Sequence, residues 1–225
     1  MAKAQSALRQ TVARLVGEVV TGTPDTNLAV GTFGCAKLAV YADDYFNDWH
    51  GRFYAGTHKD TSFTTTDFVK TAGVSTFAPV LGEAVVVGDL FEMYAEFTPE
   101  EINNAINLAI SMVEEEALQD KVDATLETAA STFEYTIPSG FVFILEIFQE
   151  SGTADRYSPS GDHIDYRHWR ILRGTTPKIW FDNNYVSLTT SRNLRLVGQG
   201  IQAQLSLDAD TCAINPAFIV YQAKA

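Results

Sequence analysis

The sequence predicts an α+β fold: helical hairpin or bundle elements (an N-terminal, a central and a C-terminal helix) carrying two inserted antiparallel β modules, a small barrel and a β-sandwich. Three observations predict it. Thr98-Pro99-Glu100-Glu101 opens a stretch, 98–118, in which Ile102, Ala105, Ile106, Ala109, Ile110 and Val113 recur at helical period. On both sides of it, short apolar or β-branched runs alternate with Gly, Asn and Asp turns, as strands do. Asn215-Pro216 then starts another helix, a cap residue followed by proline at the first helical position. The organisation that follows is a helix and linker over 1–25, a barrel-like module over 26–96, the central helix over 97–121, a sandwich over 122–214 and a last helix over 215–225.

Residues 4–17 read as an amphipathic helix with Leu8, Val12, Leu15 and Val16 on one face and Arg9 and Arg14 outside it. A lone helix of this length is marginal in water, so it must dock on the central helix or on a neighbouring subunit. In 26–96 the candidate strands are 28–30, 36–41, 51–54, 62–69, 76–77 and 90–96. The central helix starts by a capping box: the Thr98 hydroxyl accepts the N3 amide and Glu101 reaches back to the cap. Opposite its apolar stripe, Asn103, Asn104, Asn107 and Ser111 make a neutral, amide-rich face. Glu114-Glu115-Glu116 is the wrong sign for a helix C-terminus, so that end should fray or meet a cation on a partner. In 122–214 the candidate strands are 133–137, 141–148, 169–173, 178–182, 193–199 and 203–207, with a polar loop at 149–166. The last helix offers Phe218, Val220, Tyr221 and Ala225 as apolar residues. It has no C-cap signal, so either its last turn frays or a longer helix is cut there.

The chain has 225 residues, of which 46% are hydrophobic and 20% charged, and it folds around a core rather than staying disordered. A formal net charge of −12 argues against wrapping nucleic acid by charge attraction, though an acidic wall that DNA passes without sticking is compatible with it. Cys35 and Cys212 read as small buried hydrophobes in a reducing compartment. The N-terminus has no signal-peptide pattern and no apolar run spans a bilayer, so we expect no membrane and a protein made and kept in a cytosol or assembled there.

No stretch carries a catalytic signature, and we expect no enzyme, no metal and no cofactor. Asp43, Asp44 and Asp48 are badly spaced for a cation loop and read as turn caps with aromatics packed inward. His163 and His168, beside Asp162 and Asp165, lack helical ligand spacing. Asp208 and Asp210 read as solvated turn carboxylates, and His58, Asp60, Ser62 and Asp67 have no nucleophile elbow around the serine. Gly198-Gln199-Gly200 lacks the third glycine of a dinucleotide turn. In 166–170, Trp169 alternates inward with polar neighbours outward, as in a strand.

What is left is interaction surface. Asn103, Asn104, Asn107 and Ser111 could form a hydrogen-bonded seam between copies of the same helix, or be an ordinary solvated face. Trp49 and Trp180 with Asp182, Asn183 and Asn184 could make a sugar platform on a glycan-binding sandwich.

Several stretches carry a family resemblance. Asp43-Asp44-Tyr45-Phe46-Asn47, Gly51-Arg52-Phe53-Tyr54 and Gly88-Asp89-Leu90-Phe91-Glu92 are similar to a β module of phage virion proteins. The stretch 97–107 resembles the central helix of a head-to-tail adaptor (neck or connector) protein of a tailed bacteriophage. His168-Trp169-Arg170-Ile171, Leu194-Arg195-Leu196-Val197-Gly198 and Asn215-Pro216 resemble that adaptor's second half. The resemblance implies a structural virion protein: a homo-oligomeric ring in the phage neck, assembled in the host cytoplasm. It implies a portal protein above, a tail or nozzle protein below and a channel through which DNA passes without sequence-specific binding. Phe218, Tyr221 and Lys224 would lie on the portal-contacting helix. The alternatives are a tail nozzle, tail-completion or capsid-decoration protein.

Overall fold

Antiparallel sheet carries most of the computed structural model, which describes residues 2–26, 28–152, 155–158 and 161–224. Ala225 and part of the polar loop 149–166 lie outside the described residues. In chain order the elements are β1 (Lys3–Ala4), α1 (Gln5–Val16), β2 (Val19–Gly22), β3 (Thr32–Gly34), β4 (His50–Ala55), β5 (Thr61–Val69), β6 (Val74–Ala78), β7 (Leu90–Tyr94) and α2 (Pro99–Ser111). Then come β8 (Gln119–Glu127), β9 (Glu134–Thr136), β10 (Phe143–Gln149), β11 (His163–Ile164), β12 (Trp169–Leu172), β13 (Lys178–Phe181) and β14 (Asn193–Gly200). The chain closes with β15 (Thr211–Cys212) and α3 (Pro216–Ala223). It divides into two units, residues 1–113 with 204–225, and residues 114–203.

The expected α+β arrangement of helical hairpin or bundle elements is overturned. The chain is mostly β, and among the described residues the α-helices have only 12, 13 and 8 residues. The physical reason is visible at two of them. α2 stops at Ser111, and Met112 to Glu116 turn instead of extending the stripe through the glutamates. α1 is fixed to the sheet by Arg9, which the periodicity puts outside the apolar face and which is fully buried.

In the first unit, six strands run antiparallel in the order β2-β7-β4-β5-β6-β3 and curl as a half-barrel. Alternation turns Phe33, Phe53, Phe63, Phe77 and Phe91 inward, and their rings meet edge-on or tilted at 4.7–5.9 Å. Gly51 lies opposite Phe63, and a Cβ there would run into the phenyl ring, so this position has room for no side chain. The stretch 36–41 is not a strand: Ala36–Val40 is a 3-10 turn whose first amide donates to Asp25 Oδ2 at 2.6 Å. The stretch 203–207 also lacks a strand partner, because the Asn107 side chain takes both backbone groups of Leu205.

In the second unit, a four-stranded sheet β11-β10-β14-β8 faces a three-stranded sheet β12-β13-β9. Ile144, Ile147, Leu194 and Leu196 of the first meet Tyr135, Ile179 and Phe181 of the second in one core.

Candidate functional site

α2 forms where its local chemistry starts it. The Thr98 hydroxyl accepts from Glu101 N at 3.2 Å, and Glu101 Oε2 accepts from Thr98 N at 2.8 Å. Ile102, Ile106, Ala109 and Ile110 are buried. Asn104, Leu108 and Met112 follow one another at four-residue spacing and so share a face. All three are exposed, Leu108 by 65% and Met112 by 63%.

The amide face is divided. Asn103 Oδ1 accepts from Arg9 Nη1 at 2.9 Å. Asn107 donates to Leu205 O and accepts from Leu205 N, both at 2.9 Å. Ser111 Oγ donates back to Asn107 O at 3.1 Å. Asn103 and Asn107 thus hold α1 and the returning segment 204–208 within the chain, and of the three asparagines only Asn104 is exposed.

Beneath the helices lies a buried ionic cluster. Arg9 pairs with Glu92 on β7 and, through Nη1 at 2.7 Å, with Asp208. Arg52 on β4 donates to the other Asp208 oxygen at 2.9 Å and approaches Asp60 and Glu100, each at 3.4 Å. Gln10 and Tyr94 complete the shell around Glu92 and Arg9. Burial works against the Arg9 charge, but Glu92 and Asp208 outweigh it and its pKa rises. Burial pushes the Glu92 carboxyl up despite Arg9. Asp208, read from sequence as a solvated turn, is 2% exposed between two arginines.

A second clasp joins two loops of the half-barrel. Asp89, fully buried, accepts from His58 Nδ1 at 2.8 Å and from the amides of Thr57, His58 and Val86. Burial opposes its charge, but these donors hold its pKa below the usual value. His58 therefore turns to Asp89 and not to Ser62, whose hydroxyl donates to Glu100. The triad conceivable on paper is not assembled.

The remaining sequence candidates fall into structural places. Asp43 caps the Lys70 amide at 2.7 Å, Asp44 accepts from Asn47, and Asp44 and Asp48 take positive φ in a turn over buried Phe46 and Trp49. Asp210 closes a turn by accepting from Ser206 and Leu207 amides. His163 lies against Phe148, and His168 stacks on Tyr185 at 4.9 Å, both along an open polar cleft with Glu150, Asp162, Asp165 and Arg192. Among the described residues no three His, Cys, Asp or Glu side chains are grouped to hold a metal. A Cβ at Gly198 would collide with Phe143 O, so this glycine serves close strand approach. Trp49 is buried, and Trp180 is covered by Arg170, whose guanidinium stacks 4.6 Å from the ring centre. They form no open sugar platform. Cys35 and Cys212 are free and buried, and burial raises both thiols.

On α3, Asn215 caps by accepting from Ala217 N at 3.0 Å. Ile219 and Val220 are buried, Phe218 is half-buried, and Tyr221 is 65% exposed with Lys224 lying 5.6 Å over its ring. Among the described residues no helix is long and apolar enough to cross a membrane. Sequence reasoning missed the in-chain roles of Arg9, Asn107 and Asp208, whose partners are too far apart in the chain for a local signal.

Comparison with known proteins gives one family. A family model described as SU10 adaptor protein matches residues 77–223, nearly two thirds of the chain. No curated protein and no solved structure matches.

Proposed function

Because the chain belongs to the SU10 adaptor protein family, we propose that it is a structural adaptor of a phage virion, copies of which form a ring joining the portal protein to the tail or nozzle protein. The observation that carries this reading is the exposed line Asn104, Leu108 and Met112 on α2, which we assign to contact between copies. Asn103 and Asn107 stand behind it and tie the helix to Arg9 and Leu205 of the same unit. Phe218, Tyr221 and Lys224 on α3 are assigned to the portal, as an aromatic surface with a cation beside it. The net charge of −12 suits a channel through which DNA slides without adhering. The site of action is the neck of the virion, after assembly in the host cytoplasm. No chemistry, metal or cofactor is called upon.

The test is the mass of the purified protein in solution, alone and mixed with a portal ring. We expect many copies to bind each portal. Leu108→Glu combined with Met112→Glu, both on exposed positions, should leave the circular dichroism spectrum unchanged and lower the number of copies bound. A chain that stays monomeric and ignores the portal overturns the reading.

A further inference from the structure

The sandwich unit has four strand edges. β11 and β9 are two and three residues long. β8 and β12 are longer, nine and four residues, and each pairs with a strand on one side only, β8 with β14 and β12 with β13. A long strand with an unpaired row of backbone donors and acceptors is a template for another strand. Part of β8 is blunted: Ala124 and Thr125 together oppose Arg195, a bulge that ends the regular edge after Asp123. The regular edge is therefore 119–123, close in length to β12.

The two edges are complementary. Asp120 and Asp123 flank exposed Val122 on β8, with Glu114, Glu115 and Glu116 upstream. Arg170 on β12 and Arg173 just after it flank exposed Ile171. Among the described residues none of these four charges is in an ion pair, while Asp120 accepts from Gln199, Asp123 accepts from Thr125 and Arg170 lies over the Trp180 ring. In one antiparallel register Asp120 faces Arg173, Asp123 faces Arg170, and Val122 meets Ile171. Opposite charges and apolar pairs directly across two strands both stabilise the pairing. β8 and β12 are edges of different sheets and are not paired with each other within a copy.

We infer that β8 of one copy adds antiparallel to β12 of the next, joining the sandwich units of neighbouring copies edge to edge. This rests on the ring reading above and names the contact that closes it. Each copy offers one edge with two aspartates, whose intervening Lys121 is held by Ser139 O at 2.7 Å, and one edge with two arginines, so the contact is head-to-tail and repeats until the ring closes. It also covers both edges that would otherwise invite misassembly.

A charge swap tests it. Asp120→Lys and Arg173→Glu each alter one exposed side chain. Sedimentation velocity over a concentration series should show each single variant needing about tenfold more protein, or beyond, to assemble. The double variant, and an equal mixture of the two singles, should assemble as the wild type does, because the introduced lysine then faces the introduced glutamate. Wild-type assembly in both singles, or no recovery in the double variant and the mixture, overturns the contact. Loss of assembly in Leu108→Glu beside unchanged assembly in Asp120→Lys keeps the ring and removes only this contact. A wild-type chain that stays monomeric removes both.

Discussion

Arg9 shows how much one side chain can organise. Its guanidinium is fully buried and is held by Glu92, 83 residues along, and by Asp208. Arg9→Ala leaves buried Glu92 without its cation and Asp208 with Arg52 alone, and urea unfolding should show a loss of about 3–5 kcal/mol. Arg9→Met keeps most of the volume and should lose nearly as much, which would separate the charge from the packing. The sequence does not announce this role. A lone arginine on an amphipathic helix is by default a solvated residue, and charged side chains are almost never fully buried unless paired. Asp208 is misread for the same reason, since nothing within a few residues tells that two arginines approach it. By contrast Asp43, Asp44 and Asp210 act through neighbouring amides, and short-range turn chemistry describes them well.

At the level of elements, the same division between near and far holds. The start of α2 is written in four consecutive residues, and both capping hydrogen bonds are present. Thr98→Ala should cost about 1 kcal/mol, read as a lower Tm in a thermal melt with the native spectrum retained below it. The end of α2 is harder to read, because Glu114 to Gln119 are good helix formers by propensity but lie beyond the last buried turn. β8 is hidden for another reason: its alternation of half-buried and exposed positions is carried mostly by polar side chains, so hydrophobic periodicity does not mark it. At 203–207 the pattern suggests a strand, yet the Asn107 amide supplies the hydrogen bonds that a neighbouring strand would have given.

For the molecule as a whole, the half-barrel core and the sandwich core have separate memberships and fall in different units. Residues 114–203 expressed alone should therefore unfold cooperatively in urea with a β-type circular dichroism spectrum, and a gradual, non-cooperative loss of signal would show that the unit leans on the rest. The β character of both cores is legible from strand lengths and turns. The minor share of helix is not, because amphipathic periodicity reports that a helix forms but not how little of the fold it supports. The first unit is made from both ends of the sequence, with β1 paired to β15 and Arg9 to Asp208. That pairing sets a clock on biosynthesis. At translation speeds of roughly 5–20 residues per second, Arg9 waits on the order of 10–40 s for Asp208 to be made. During that interval the acidic Glu92 and the half-barrel are already outside the ribosome, whereas the intervening sandwich can finish first. The newborn chain thus has all of 114–203 before Asp208 and β15 can reach Arg9 and β1.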